Sequence, residues 1–505
     1  MTLVHRVLHP RPTRSLEEYR RKGGGLGLAA ARRVDPLSLI EELEASGLRG
    51  RGGAGFPTGR KWRTVRENRS STEPSTVVVN GAEGEPGTFK DRTILSNDPY
   101  QVLEGALIAA RAMDADQVIF ALKRSSQDQT ARVRKAIGEA RAAGWAEGIE
   151  VLVFEGPSEY LYGEETALLE TIDGRYPFPR IAPPFRRGVR EIVEFDADVA
   201  SGSGLAAHVE MAGPSPEAIA PPTLVNNVET LANVPRIIAR GAAWFRTEGT
   251  DASPGTVVCT VTGRTPRHGV GEVILGTPLR EVIQAIGGGP RPGQHIKAVM
   301  SGVSNALIPA SLLDTPVSYE ALAGIGSGLG SAGFIVFDET TDMAAVAAGV
   351  SRFLAVESCG QCTPCKQTGL FLADLLARLS RSKPTANDAT AIDKAVARVA
   401  ERARCYLATQ HQVVVRSVLE LFPEEIQAHL HGDAEGIEPE LIAELLDITG
   451  GAAVPDASHR HKQPDWTYDD RYSGKWPADW LDDHRAPQSL GIYPISLRPY
   501  RRVET

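Results

Sequence analysis

Residues 76–123 read TVVVNGAEGEPGTFKDRTILSNDPYQVLEGALIAARAMDADQVIFALK. The opening TVVVN is a β-branched run ending on a Gly-rich turn, which predicts a strand. PYQVLEGALIAARAM has the length and apolar density of a helix, and QVIFAL predicts a second strand. The pattern continues with QDQTARVRKAIGEARAAG as a helix and IEVLVFEG as extended chain. Strand–helix–strand alternation of this kind calls for a doubly wound α/β fold with a parallel sheet. Open α/β sheets bind ligands beyond the carboxyl ends of their strands. Asn80 closes TVVVN at such an end and Glu83 and Glu85 follow it, so this loop is a candidate site. On spacing alone, solvated loop charges explain the two carboxylates equally well.

From about Gly255 to Phe337 the pattern changes to short strands with glycine turns, TVVCTVTGR, KAVMSG and GFIVFDE, around one helix, LREVIQAIGG. This predicts a small β-rich domain. After Thr340 the chain turns helical, with TGLFLADLLARLS, DATAIDKAVARVAERA and HQVVVRSVLELF predicting a bundle. At 505 residues the chain has room for two to four domains, taking roughly 100–200 residues each. Hydrophobic residues at 42% and charged residues at 23% describe a soluble globular protein, and a formal charge of −8 argues against a nucleic-acid surface. No apolar run is long enough to span a bilayer. The N-terminus MTLVHRVLHPRPTRSLEEYRRKGGG is basic but lacks the apolar stretch of an export signal. A cytoplasmic protein is expected, held to the inner face of a membrane only through partners.

Five cysteines are present, and three of them fall in ESCGQCTPCK, residues 357–366. A secreted disulfide framework would spread its pairs along the chain. A single zinc takes four ligands and usually pairs its cysteines two by two. Three thiolates as C-x2-C-x2-C, Cys359, Cys362 and Cys365, with Cys405 remote in RARCYLATQ, fit a [4Fe–4S] centre instead. Unliganded thiols on a reactive loop are the plain alternative. Cys259, in TVVCTVTG, reads as a buried strand residue.

GLRGRGGAGFPTGRKW, Gly47 to Trp62, is neither a G-x-G-x-x-G fingerprint after a strand nor a P-loop. Its glycines let backbone approach a flat or phosphorylated ligand, and Arg51, Arg60 and Lys61 can hold phosphate. A glycine-rich surface turn explains it as well.

GRGGAGFPTG, GEPGTFKDR, YLYGEETALLETIDGR, NNVETLANVP and ESCGQCTPCK occur in that order over roughly residues 35–430. Together they resemble the NADH-binding flavoprotein subunit of respiratory complex I and its relatives in NAD-linked hydrogenases and formate dehydrogenases. The resemblance implies a non-covalent FMN that takes hydride from NADH and a [4Fe–4S] cluster that passes single electrons to a partner. It implies a thioredoxin-like [2Fe–2S] subunit and a larger iron–sulfur, molybdenum or nickel subunit as partners. It implies an FMN/NAD(H) domain over 35–250 after an extension at 1–34. A ubiquitin-like domain over 251–339, a helical cluster domain over 340–450 and an aromatic arm over 451–505 would follow. Gly50, Gly52, Gly53, Phe56 and Lys61 resemble the cofactor cleft, and Asn80 and Glu83 fall at flavin positions. Tyr160, Gly163 and Glu164 resemble the flavin-lining turn, with Phe185 beyond it. Asn226, Asn227 and Thr230 resemble the segment near the ribityl chain and phosphate. Glu85 and Glu165 resemble an acidic pair at the nicotinamide end.

The chain departs from that pattern at Ala82, Thr64 and Ala182, where relatives place a carboxylate, an aromatic and a lysine. Losing one stacking aromatic costs roughly 1–3 kcal/mol, which Arg63 or Arg186 and Arg187 would have to offset. A second reading is therefore open, in which the dinucleotide site has decayed and another donor feeds a flavin/iron–sulfur relay. The segment 188–222 is longer than the resemblance implies and reads as a solvent loop, with a lid over the flavin as the alternative. His459 and His461 read as surface histidines rather than ligands. The tail after Gly450 is rich in Trp and Tyr and reads as an arm packed on this subunit or a partner.

Overall fold

The computed structural model describes residues 3–70, 74–180 and 222–462 in full, and residues 189–195 and 205–211 by their backbone. It divides into two compact bodies. The described residues of 5–83 and 91–256 form the first, and residues 3–4 and 84–90 join the described chain from Val257 onward in the second.

In the first body, β1 (Ser75–Gly81), β2 (Ala115–Lys123) and β3 (Glu150–Gly156) are neighbours in chain and in space. Next comes an antiparallel pair, β4 (Val189–Phe195) with β5 (Leu205–Met211), so the segment read as a solvent loop contains paired strands. β6 (Thr223–Asn227) then returns to the free side of β1, giving a parallel sheet in the order β3-β2-β1-β6. Val77, Val78 and Val79 are fully buried, as a strand covered on both faces requires. The helix Pro99–Met113 starts where Asp98 accepts from the amides of Tyr100 and Gln101, with Pro99 at its first turn. It packs against the helix Val228–Arg240 so closely that a Cβ on Gly105 would sit 2.0 Å from the carbonyl oxygen of Leu231. Gly105→Ala would therefore force these helices apart.

The second body carries the expected β-rich domain: β7 (Thr256–Gly263), β8 (Gly269–Ile274), β9 (Ile296–Ser301), β10 (Ile308–Pro309) and β11 (Gly333–Asp338). The order is β10-β9-β11-β7-β8, with β11 parallel to β7 and antiparallel to β9. Leu279, Val282, Ile283 and Ile286 of the helix Leu279–Gly287 pack into its core, a ubiquitin-like arrangement, and Cys259 is fully buried there. Helices Met343–Glu357, Gly369–Ser380, Asp388–Arg398, Leu407–Leu421 and Pro423–His431 form the bundle. A hairpin, β12 (Leu445–Thr449) with β13 (Ala452–Pro455), crosses the position where the helical region was expected to end. Residues 463–505, most of the aromatic arm, lie outside the described residues.

Candidate functional site

β1 and β6 end side by side, with Val79 opposite Asn226 and Asn80 opposite Asn227. The strand order reverses between them, so these asparagines stand at the crevice where an open α/β sheet takes its ligand. Each is already oriented. Asn80 Nδ2 donates to Gly163 O at 2.9 Å while its Oδ1 accepts from Ala82 N at 3.1 Å, tying the end of β1 to the turn Tyr160–Gly163. The indole N–H of fully buried Trp62 donates to Asn226 Oδ1 at 2.7 Å. Asn227 caps the helix Val228–Arg240 by accepting from Glu229 N at 2.9 Å, and it donates to Asp91 Oδ2 at 2.7 Å. The glycine-rich loop is fastened to that same helix, since Arg51 N donates to Thr230 Oγ1 at 2.8 Å. A Cβ on Gly52 would touch Asn227, so the loop lies against the asparagines. Four separated stretches therefore meet at one end of the sheet.

Two observations bear on whether a flavin nucleotide fits here. Gly53 has φ +135°, and the space its Cβ would occupy is open, so a ligand can approach its backbone. The hydroxyl of Tyr162 is buried in the turn beside Gly163 with no hydrogen-bond partner among the described residues. The open backbone at Gly53 admits a ligand, and separately the Tyr162 hydroxyl, packed on Gly156 at the end of β3, is a buried donor still to be satisfied. The residues fit such a group.

Other assignments need correcting. Arg51 does not offer its charge to a phosphate. The side chain is buried; Nη2 donates to Thr256 O at 2.9 Å and Nε lies 3.7 Å from buried Glu229 Oε1. A buried carboxylate 178 positions away needs that cation more. Arg63 is committed to Glu44 in a two-pronged pair at 2.7 and 2.6 Å, so it does not replace a stacking aromatic. Arg60 lies over the half-exposed ring of Phe56, 5.9 Å from its centroid.

The carboxylates have separate duties. Glu83 accepts from Asp91 N at 2.9 Å and Arg92 Nε at 3.0 Å, which anchors the helix Lys90–Asn97. Glu164 caps the helix Glu165–Ile172 by accepting from Thr166 N and Ala167 N; burial raises its pKa while those hydrogen bonds oppose the rise. Glu165 pairs with Lys61 Nζ at 2.7 Å near the surface. Glu85 belongs to the second body, where its Oε1 accepts from Val303 N at 2.7 Å and Ser304 Oγ at 2.8 Å. Glu85 and Glu165 thus fall in different bodies, each with its own partner. Phe185, Ala182, Arg186 and Arg187 lie outside the described residues.

In the second body, the helix Met343–Glu357 runs into the cysteine loop. Lys366 Nζ collects the carbonyls of Ala355, Val356 and Ser358 at 3.2, 3.1 and 2.8 Å, so the loop folds back over the helix end with a cation at its negative pole. Cys359 and Cys365 are buried and Cys362 is half-buried. Cys365 stands in a π-turn, Pro364–Thr368, 3.2 Å from Ser358 Oγ. Burial raises the Cys359 thiol and pushes Cys365 up to about 12, with the neighbouring cysteines adding to both shifts. Thiols so crowded and dry become thiolates only around a cationic centre. Cys405 is half-buried just before the helix Leu407–Leu421, which packs on Met343–Glu357. Among the described residues no group of three or more His, Cys, Asp or Glu is placed to hold one metal ion. A cubane cluster takes one thiolate per iron, so its ligands need not converge on a point. An all-sulfur donor set fits it.

One reading was wrong. His459 is buried rather than at the surface: Nε2 lies 3.0 Å from Glu357 Oε1 and its ring packs on Phe353, 5.0 Å between centroids. Phe353 and Glu357, about a hundred residues upstream and invisible to local pattern, account for that burial.

Residues 43–236 match the Nuo51 FMN-binding domain family. Residues 345–429 match the NADH-ubiquinone oxidoreductase-F iron-sulfur binding region. The chain is 35% identical over 426 residues to an F-type subunit of NADH-quinone oxidoreductase from Rhizobium meliloti (strain 1021), covering 82% of this chain and 94% of the relative. It is 34% identical to the corresponding NADH-quinone oxidoreductase subunit of Streptomyces coelicolor, covering 84% and 90%. An NAD+-reducing [NiFe]-hydrogenase in the H2-reduced state superposes with a TM-score of 0.69 at 30% identity, over 85% of this chain and 68% of that one.

Proposed function

This chain belongs to the family of F-type NADH-quinone oxidoreductase subunits and is an electron-input flavoprotein of a multisubunit oxidoreductase, and we propose which of its residues do that work. When bound, FMN takes two electrons together from NADH, and the [4Fe–4S] cluster carries them outward singly. Asn80, Asn226, Asn227 and Thr230, with the backbone of Gly50, Gly52 and Gly53, hold the flavin nucleotide. Tyr160, Gly163 and Glu164 form its second wall, and Glu83 keeps the loop after β1 in place through the helix it anchors. Phe56 and Lys61 line the approach of NADH. Glu165 orients Lys61. Cys359, Cys362, Cys365 and Cys405 ligate the cluster.

The observation that carries this reading is the meeting of three asparagines at the reversal of strand order. Among the described residues no helix is long and apolar enough to cross a membrane. By analogy with the NADH-quinone oxidoreductase subunits it resembles, we place the subunit on the cytoplasmic side, joined through its complex. A thioredoxin-like [2Fe–2S] protein and a larger iron–sulfur or catalytic subunit are its proposed electron partners. Asn80→Leu tests the flavin assignment. It unties β1 from the Tyr160–Gly163 turn, so FMN affinity should fall at least tenfold by fluorescence titration. Unchanged affinity would remove Asn80 from the site.

A further inference from the structure

The short turn Ala457–Arg460 and the two residues after it lie back on the last turns of the helix Met343–Glu357. Asp456 starts the turn by accepting from Ser458 N at 3.0 Å. Arg352 Nη2 then donates to the carbonyls of His459, Arg460 and Lys462, at 3.2, 2.9 and 2.9 Å. His459 covers Phe353, and one oxygen of Glu357 takes both His459 Nε2 at 3.0 Å and Lys462 Nζ at 2.8 Å. Glu357 is buried and stands two positions before Cys359. Residues 456–462 lie beyond residue 429, where the match to the iron–sulfur region stops, whereas Arg352, Phe353 and Glu357 lie inside it.

We propose that residues 457–462 are a clasp that tunes the iron–sulfur centre, with His459 and Lys462 as positioning residues acting through Glu357. The inference rests on the cluster being held by Cys359, Cys362, Cys365 and Cys405. A four-thiolate cluster is anionic and gains one more negative charge on reduction, so nearby buried charges set its potential. Uncompensated, the Glu357 carboxylate would oppose reduction. Lys462 neutralises it, and the Arg352 grip on three carbonyls holds Lys462 where it can. The clasp therefore makes the centre a better acceptor from the flavin side.

The test is an EPR-monitored redox titration of the full-length, cluster-loaded protein. Lys462→Met should lower the reduced-to-oxidised ratio at a fixed potential about threefold, about 30 mV at 59 mV per tenfold for a one-electron couple. Glu357→Gln, which keeps an acceptor oxygen but loses the charge, should move it the opposite way by a similar factor. Lys462→Arg should titrate as the parent does, and the Glu357→Gln/Lys462→Met double variant should return near it. A purely structural latch would not give shifts of opposite sign. If both single variants load a cluster and titrate like the parent, the clasp does not tune it. If the single Lys462→Met chain fails to fold, the double variant against Glu357→Gln alone decides the same point. Cys362→Ser is the separate control: an unaltered cluster signal there overturns the ligand assignment instead.

Discussion

At the flavin end the side chains come from four separated stretches, Gly50–Phe56, Asn80, Tyr160–Glu164 and Asn226–Thr230, and meet because β6 returns beside β1. At the proposed cluster end three of the four proposed ligand cysteines share one loop, Cys359–Cys365, and Lys366 ties that loop to the end of the preceding helix. One site is made by topology and the other by local spacing. They should therefore fail differently: a flavin site degrades by degrees as its anchors are cut, whereas a cluster missing a ligand is lost outright.

The largest expected effect tests that contrast directly. Cys365→Ala should abolish the iron–sulfur absorbance and iron content while FMN stays bound and is still bleached by NADH. Loss of FMN as well would show that the two ends are not independent. Next is the bundle's response to acid. His411 is fully buried, with Nε2 2.7 Å from Ser351 Oγ, and burial lowers its pKa to about 3. In the unfolded chain it protonates near 6.5, so the stability of its neutral, folded form is present above that value and drains away as pH falls towards 3. Between pH 7.5 and 5 this costs about 2 kcal/mol, at about 1.36 kcal/mol per unit. The thermal midpoint should fall less over that range in His411→Asn, and an equal fall would exclude His411 as a source.

Smaller effects belong to the flavin end. Gly53→Val fills the open space at a left-handed position, and FMN affinity should weaken about tenfold with cluster content unchanged. Phe56→Ala removes a half-exposed ring, so KM for NADH should rise about threefold with FMN affinity intact. A larger effect on FMN than on NADH would move Phe56 from the nucleotide approach to the flavin itself.

Much of this was legible in the chain. The strand–helix alternation from Thr76 to Lys123 and the C-x2-C-x2-C run are local patterns, and local patterns survive translation into sequence. Arg51 and His459 were not legible. Arg51 looks like a phosphate ligand by its basic neighbours, yet its partner Glu229 reaches it only through the fold. His459 looks polar and terminal, yet Phe353 and Glu357 bury it. Glu83 and Glu164 read as cofactor-facing carboxylates, but each first satisfies the free amides of a helix start. Charges near a site divide between ligand and scaffold, and spacing cannot say which.

Anaerobic mixing of the FMN- and cluster-loaded chain with NADH, followed at the flavin band, tests most directly whether electrons still come in here. Rapid bleaching is expected, with Phe56, Lys61 and Glu165 sufficient for the nucleotide despite Ala82 and Thr64. A flavin that dithionite bleaches but NADH does not would contradict it and leave a relay with another donor.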